Sequence, residues 1–232
     1  MRMPTRLKTR LDTRIPFRMR ATAEAVSRYF RRNEGSTDYA TIPAVTLAGD
    51  FVIEFEASHT GFFRFLGMDN SINPDRIFVI TDSVDATKLR VGLAGVDLYT
   101  DVGFISIGFI NNIRIERAGS VLTIKNISTG GEASGTFPTS SAVFNVLYQH
   151  NNTYTTGILA NLKIYDNGTL VRDYPLNDNS NTIRDLANGQ DGTIINGNAD
   201  DWGLFDKISA GWKGKGLVVP PWDSVDQELI NA

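Results

Sequence analysis

The chain has 232 residues, 41% of them hydrophobic and 21% charged, with no cysteine and a formal net charge of −3. That length can bury a full core, and an all-β sandwich of this size commonly forms one domain; the lack of cysteine excludes disulfides, thiolate catalysis and Cys-ligated zinc. No apolar run approaches the roughly 18 residues of a membrane-spanning helix, and no apolar stretch follows the basic N-terminus as a secretory signal would require, so a soluble globular protein is expected.

Charge is spread unevenly. Residues 1–32 hold ten basic residues against Asp12 and Glu24, a net of +8, whereas the remaining 200 residues hold 13 basic and 24 acidic residues, a net of −11. The first 20 residues are interrupted by Pro4 and Pro16 and space Leu7, Leu11, Ile15, Phe17 and Met19 too widely for a core of their own. An extended arm is expected, ordered only against a partner. Arg6, Lys8, Arg10, Arg14, Phe17, Arg18 and Arg20 are its candidate anchor residues, the arginines meeting an acidic surface and the apolar residues between them adding grip. The alternative is a solvated tail. Residues 21–32 fit either a short helix capped by Thr22 or a strand carrying Val26, Tyr29 and Phe30.

From Ser36 the pattern is that of strands. Phe51, Ile53, Phe55 and Ala57 alternate with Glu54 and Glu56, which puts the carboxylates on the opposite face. Further period-2 runs occupy 76–81, 88–93, 104–109, 112–117, 121–127, 143–149, 157–165 and 169–174, punctuated by Gly, Asn, Asp, Ser and Pro. Many short strands with regular turns predict a sandwich or barrel. Asp166-Asn167-Gly168 between Tyr165 and Thr169 predicts a hairpin with a type I′ turn. The sequons at Asn126, Asn151 and Asn167 read as turns. No repeat or heptad is present, and Ser224 to Gln227 has capping-box spacing before a short C-terminal helix. The chain thus divides into a basic arm (1–32), a sandwich (33–205) and an irregular tail (206–232) that packs on the sandwich or on a neighbour.

Four blocks of sequence carry a resemblance. Glu34 to Ile42 followed by Gly49-Asp-Phe-Val-Ile-Glu-Phe55, then Asn112 to Ile124, then Thr156 to Asp166, resemble the opening strands, central hairpin and penultimate strand of concanavalin A-like (laminin-G-like) jelly rolls. Asp185 to Phe205 is similar to the copies of that domain in bacteriophage tail, fibre and head-attached proteins. The resemblance implies an all-β, two-sheet antiparallel jelly-roll sandwich and a virion location after assembly in the host cytoplasm. It does not imply an activity, because the fold serves lectins, glucanases, adhesion domains and inert spacers alike.

Several chemistries can be weighed on the residues. Glycoside hydrolysis needs paired carboxylates across a cleft; Glu54 and Glu56 share a strand face but lack the Glu-x-Asp-x-x-Glu pattern of glucanases of this superfamily, so no enzyme is expected. His59 and His150 are too few for a His-rich metal site, and neither a Gly-x-Ser-x-Gly elbow nor a phosphate loop occurs. No cofactor is expected except calcium, which is common in the superfamily; Asp69 to Asp75, Asp178, Asp185, Asp191, Asp200 and Asp201 supply oxygen-rich loops without EF-hand spacing. Sugar recognition needs aromatic faces beside amides or hydroxyls, and Tyr148, His150, Asn152 and Tyr154 are the candidate carbohydrate-binding residues, unless their loop simply covers the core edge. Sparse aromatics in the arm and an acidic body argue against nucleic acid. The expected role is a structural component of a phage particle, repeated as a homo-oligomer and held to other virion proteins by residues 1–32. A glycan-binding module for host attachment is the alternative, with glycoside hydrolase behind it.

Overall fold

The structure, a computed structural model, describes residues 28–32, 39–68, 73–148, 157–177, 180–196, 202–206 and 211–213. The arm's candidate anchor residues lie outside that set, as do His150, Asn152, Tyr154 and the segment 224–227. Among the described residues seventeen strands are formed: β1 (Arg28–Arg32), β2 (Tyr39–Leu47), β3 (Phe51–His59), β4 (Arg64–Gly67), β5 (Ile77–Thr81), β6 (Leu89–Leu93), β7 (Val96–Tyr99), β8 (Asn111–Ala118), β9 (Val121–Asn126), β10 (Gly131–Thr136), β11 (Ala142–Leu147), β12 (Gly157–Asp166), β13 (Thr169–Tyr174), β14 (Thr182–Ile183), β15 (Gly192–Ile195), β16 (Trp202–Asp206) and β17 (Gly211–Lys213).

The strands make two antiparallel sheets, the sandwich that the alternating pattern predicts. The larger runs β10-β9-β8-β3-β12-β1-β16-β17, with β13 also paired to β12; the smaller runs β14-β15-β2-β11-β4-β5-β6-β7. Alternation sets which side chains meet between the sheets. Phe51, Ile53, Phe55, Ile113, Ile115, Leu122, Ile124, Leu159, Leu162 and Ile164 come from the larger sheet, and Leu47, Phe65, Ile77, Val79, Leu89, Val91, Leu93, Phe144 and Leu147 from the smaller. Each large apolar side chain so buried contributes about 1.5–3 kcal/mol.

Local chemistry explains the irregularities. Asn167 and Gly168 have φ of 47° and 78°, the turn geometry expected of Asn-Gly, and join β12 to β13 with Asp166 opposite Thr169. The β2–β11 register shifts between Val45 and Thr41, spanning Pro43, which has no N–H to give to the ladder. Asn126 is fully buried and donates to Phe104 O at 2.6 Å, so the first sequon starts the turn after β9. Among the described residues no helix is long and apolar enough to cross a membrane.

Two expectations change. Residues 104–109 are a loop, not a strand. Phe104 and Ile105 are both buried, which breaks alternation, and Gly103 and Gly108 each have φ of +78°. The Asn111 side chain closes the loop, accepting from Ser106 N and donating to Ser106 O and Phe109 O, each at 2.9 Å. Second, Arg28–Arg32, assigned to the arm, is a strand between β12 and β16, and Gly211–Lys213, assigned to an irregular tail, pairs with β16.

Candidate functional site

The outer faces of the two sheets differ in how their charges are matched. On the larger sheet, Glu132, Lys125, Arg114, Glu54, Lys163 and Asp173 stand opposite one another on β10, β9, β8, β3, β12 and β13. Arg114 Nη1 bonds Glu54 Oε1, Arg114 Nε lies 3.1 Å from Glu116 Oε2, and Lys125–Glu132 and Lys163–Asp173 close at 3.4 and 3.9 Å. The row neutralises itself. Glu54, one of the two carboxylates weighed for hydrolysis, is an ion-pair partner of Arg114 in that row, and Glu56 lies opposite Asn112 and Ala160.

The smaller sheet carries a different face. The inward alternation of Ile77, Val79, Leu89 and Val91 turns Arg76, Phe78 and Arg90 outward, while Ile80, on the same side, is covered at 3% exposure. Arg64, Ile80, Arg90 and Tyr99 then stand in one row across β4, β5, β6 and β7, and Phe78, Gly92 and Asp97 form the next row. The entry to β4 is pinned because Thr81 Oγ1 accepts from Phe63 N at 2.8 Å. Gly92 is needed here, since a Cβ at that position would come within 2.1 Å of Phe78 Cζ.

Arg90 is firmly placed. Its Nη2 donates to Asp97 Oδ2 at 2.6 Å, and its guanidinium carbon lies 5.2 Å from the Phe78 ring centre and 5.4 Å from that of Tyr99. The Asp97 hydrogen bond holds the Arg90 pKa above its usual value. Tyr99 is 45% exposed and also has Lys88 Nζ 5.9 Å from its ring centre. Arg64 is half-buried, and among the described residues it has neither a hydrogen-bond acceptor nor a counter-ion; its Nε is shut off from solvent. Burial, then repulsion from Arg90 and Arg76, lowers its pKa to about 10. This face therefore offers an exposed aromatic ring, a half-buried one and guanidinium donors not all in use.

The predicted site residues fare differently. Tyr148 is a correction: it is wholly buried with φ of 67°, its hydroxyl donates to Leu159 O at 2.7 Å and accepts from Leu159 N at 3.2 Å, and its ring packs on Phe63. Desolvation raises its pKa. Its ring is a core element, not a sugar platform. Asp185, one of the oxygen-rich loop residues, takes backbone amides of Asp173, Ala187 and Gln190 on its carboxylate, while Asp191 accepts from Asp185 N at 2.8 Å. No group of three or more His, Asp or Glu that could hold a metal occurs among the described residues. The β4–β7 face was missed in the sequence because Arg64, Arg76, Arg90 and Tyr99 come from four separate strand segments; the only local hint was the Arg-x-Phe spacing of Arg76 and Phe78.

The fold is an all-β sandwich of two antiparallel sheets. No family model matches the chain, and no curated protein sequence matches it. Among solved structures it is similar to a candidate carbohydrate-binding protein from Bacteroides ovatus, with a TM-score of 0.55 and 11% identity over 73% of this chain and 59% of that one. It is also similar to domains LG4-5 of the mouse laminin alpha1 chain, with a TM-score of 0.45 and 14% identity over 63% and 44% of the two chains. Carbohydrate-binding module CBM66 from Bacillus subtilis gives a TM-score of 0.41 and 11% identity over 59% and 86%. The chain spans 59% and 44% of the first two structures.

Proposed function

We propose that this chain is a non-enzymatic saccharide-binding sandwich, carried on a phage particle by its basic N-terminal arm. The observation that carries the binding role is the β4–β7 outer face, where exposed Tyr99 and half-buried Phe78 flank Arg90, with Arg64 further along the same row. Aromatic rings stack on the apolar faces of sugar rings while guanidinium groups donate to hydroxyl and ring oxygens. The likeness in fold to a candidate carbohydrate-binding protein from Bacteroides ovatus is in keeping with this reading. Against catalysis stands the engagement of Glu54 by Arg114 within a self-neutralised row. A glycan array probed with the full chain tests the binding role: retained spots that vanish for Tyr99→Ala support it, and no bound glycan at all refutes it.

The particle role is supported by the split between a +8 segment and a −11 body and by the phage-like stretch Asp185 to Phe205. Chain lacking residues 1–27 is expected to be left out of assembled particles. Normal incorporation of that shortened chain would remove the anchor from the reading.

A further inference from the structure

We infer that the β4–β7 face selects acidic saccharides, its receptor for the sugar carboxylate being the Arg64 guanidinium with Arg76 and Arg90 beside it. The inference deepens the saccharide-binding reading and rests on it.

The charge count of the face comes first. Arg64 and Arg90 stand in one row on either side of Ile80 and Arg76 also repels Arg64, Lys88 stands at the Tyr99 ring, and Asp97 is already spent on Arg90 at 2.6 Å. Asp82, which also feels Lys88 and Arg90, turns one carboxylate oxygen to the amides of Val84 and Asp85, at 2.8 and 3.0 Å. Leaving Arg76 aside, Arg64, Arg90 and Lys88 outnumber Asp97 on this face of a body whose net charge is −11.

The second observation is the state of Arg64. A guanidinium that loses water without gaining an acceptor is costly to the fold, and two like charges nearby add to the cost. Contrast Arg114 on the other sheet, which is about equally exposed as Arg90 but has two carboxylates on it. Also in contrast, the buried Arg117 satisfies its donors on Gly49 O and Ser140 O and lies 4.8 Å from the Phe51 ring centre. Arg64 is thus the guanidinium left waiting for an anion.

Shape selects the class of anion. A guanidinium fork binds a planar carboxylate through two parallel hydrogen bonds, and Tyr99, three strands away in the same row, gives another ring of the same saccharide chain a surface. A nucleic acid would need a track of cations and several exposed rings, whereas this face has one strongly exposed ring on an acidic body.

The test uses full-length protein on an array of uronate-, sialate-, sulfate-bearing and neutral glycans, followed by titration with tetragalacturonate and its methyl ester. Carboxylated glycans should be retained over neutral ones, and esterification should weaken binding by tenfold or more. Arg64→Gln should lose at least tenfold toward tetragalacturonate with an unchanged or higher Tm, because it removes an uncompensated charge; Arg64→Lys should fall between. Equal binding of the acid and its ester, preference for sulfated glycans alone, or binding untouched in Arg64→Gln overturns the inference while leaving the saccharide-binding reading intact. A Tm lowered by several degrees in Arg64→Gln also overturns it, since Arg64 would then be serving the fold. No bound glycan of any kind removes both.

Discussion

His59 sits at the end of β3, 1% exposed, with Phe65 6.1 Å away and no hydrogen-bond partner on either ring nitrogen among the described residues. Burial lowers its pKa from 6.5 to about 4. Because the unfolded chain takes up the proton near 6.5 and the folded chain only near 4, stability is full above 6.5 and is lost as pH falls through that window. The loss amounts to about 3 kcal/mol at one pKa unit per ~1.4 kcal/mol. Urea unfolding at pH 7.5 and 4.5 should show a larger difference for the native sequence than for His59→Leu by that amount; equal differences would mean His59 is hydrated in the fold. Tyr148 makes a second expectation at this scale. Tyr148→Phe leaves the buried Leu159 N–H and C=O without the hydroxyl that serves both, and denaturant unfolding should register a loss of about 1–3 kcal/mol.

At the scale of elements, glycine positions set how closely strands and side chains approach. β15 lies against β2, and a Cβ at Gly192 would meet Thr41 O at 2.5 Å and Ile42 Cγ2 at 2.7 Å. A backbone oxygen in a sheet cannot swing aside as a side-chain end can. Gly192→Ala should therefore cost about 1–3 kcal/mol, read as a lowered unfolding midpoint, with the β14–β15 amides losing protection from hydrogen exchange before those of β3. The strand pattern itself was legible: residues 51–57, 112–117 and 121–126 alternate cleanly because one face is core and the other solvent, whereas 79–81 and 157–160 are buried on both faces. The run 104–109 alternates just as well in sequence yet forms a loop, since positive φ at Gly103 and Gly108 and the Asn111 side chain are tertiary commitments that periodicity does not express.

For the whole molecule, the boundary between arm and sandwich falls inside the segment 1–32. Removing residues 1–27 keeps β1, which links β12 to β16; removing residues 1–32 deletes it. The first truncation should leave the thermal midpoint nearly unchanged, and the second should lower it by roughly 4 °C or more, which corresponds to over ~1 kcal/mol in a domain of this size. Equal midpoints for the two would place β1 outside the cooperative unit.

The amino-acid sequence by itself determined the all-β class, the two-faced strands and the Asn167-Gly168 hairpin, because these depend on residue type and on periods of two that are local. It also determined the separation of a basic segment from an acidic body. Only the tertiary structure decided that Tyr148 belongs to the core, that Glu54 is tied to Arg114, and that Arg64, Arg90 and Tyr99 share one row beside Phe78. Those outcomes depend on strand order and register, which bring distant residues side by side, Glu54 and Arg114 being 60 positions apart, and no local pattern of residues encodes which strands become neighbours.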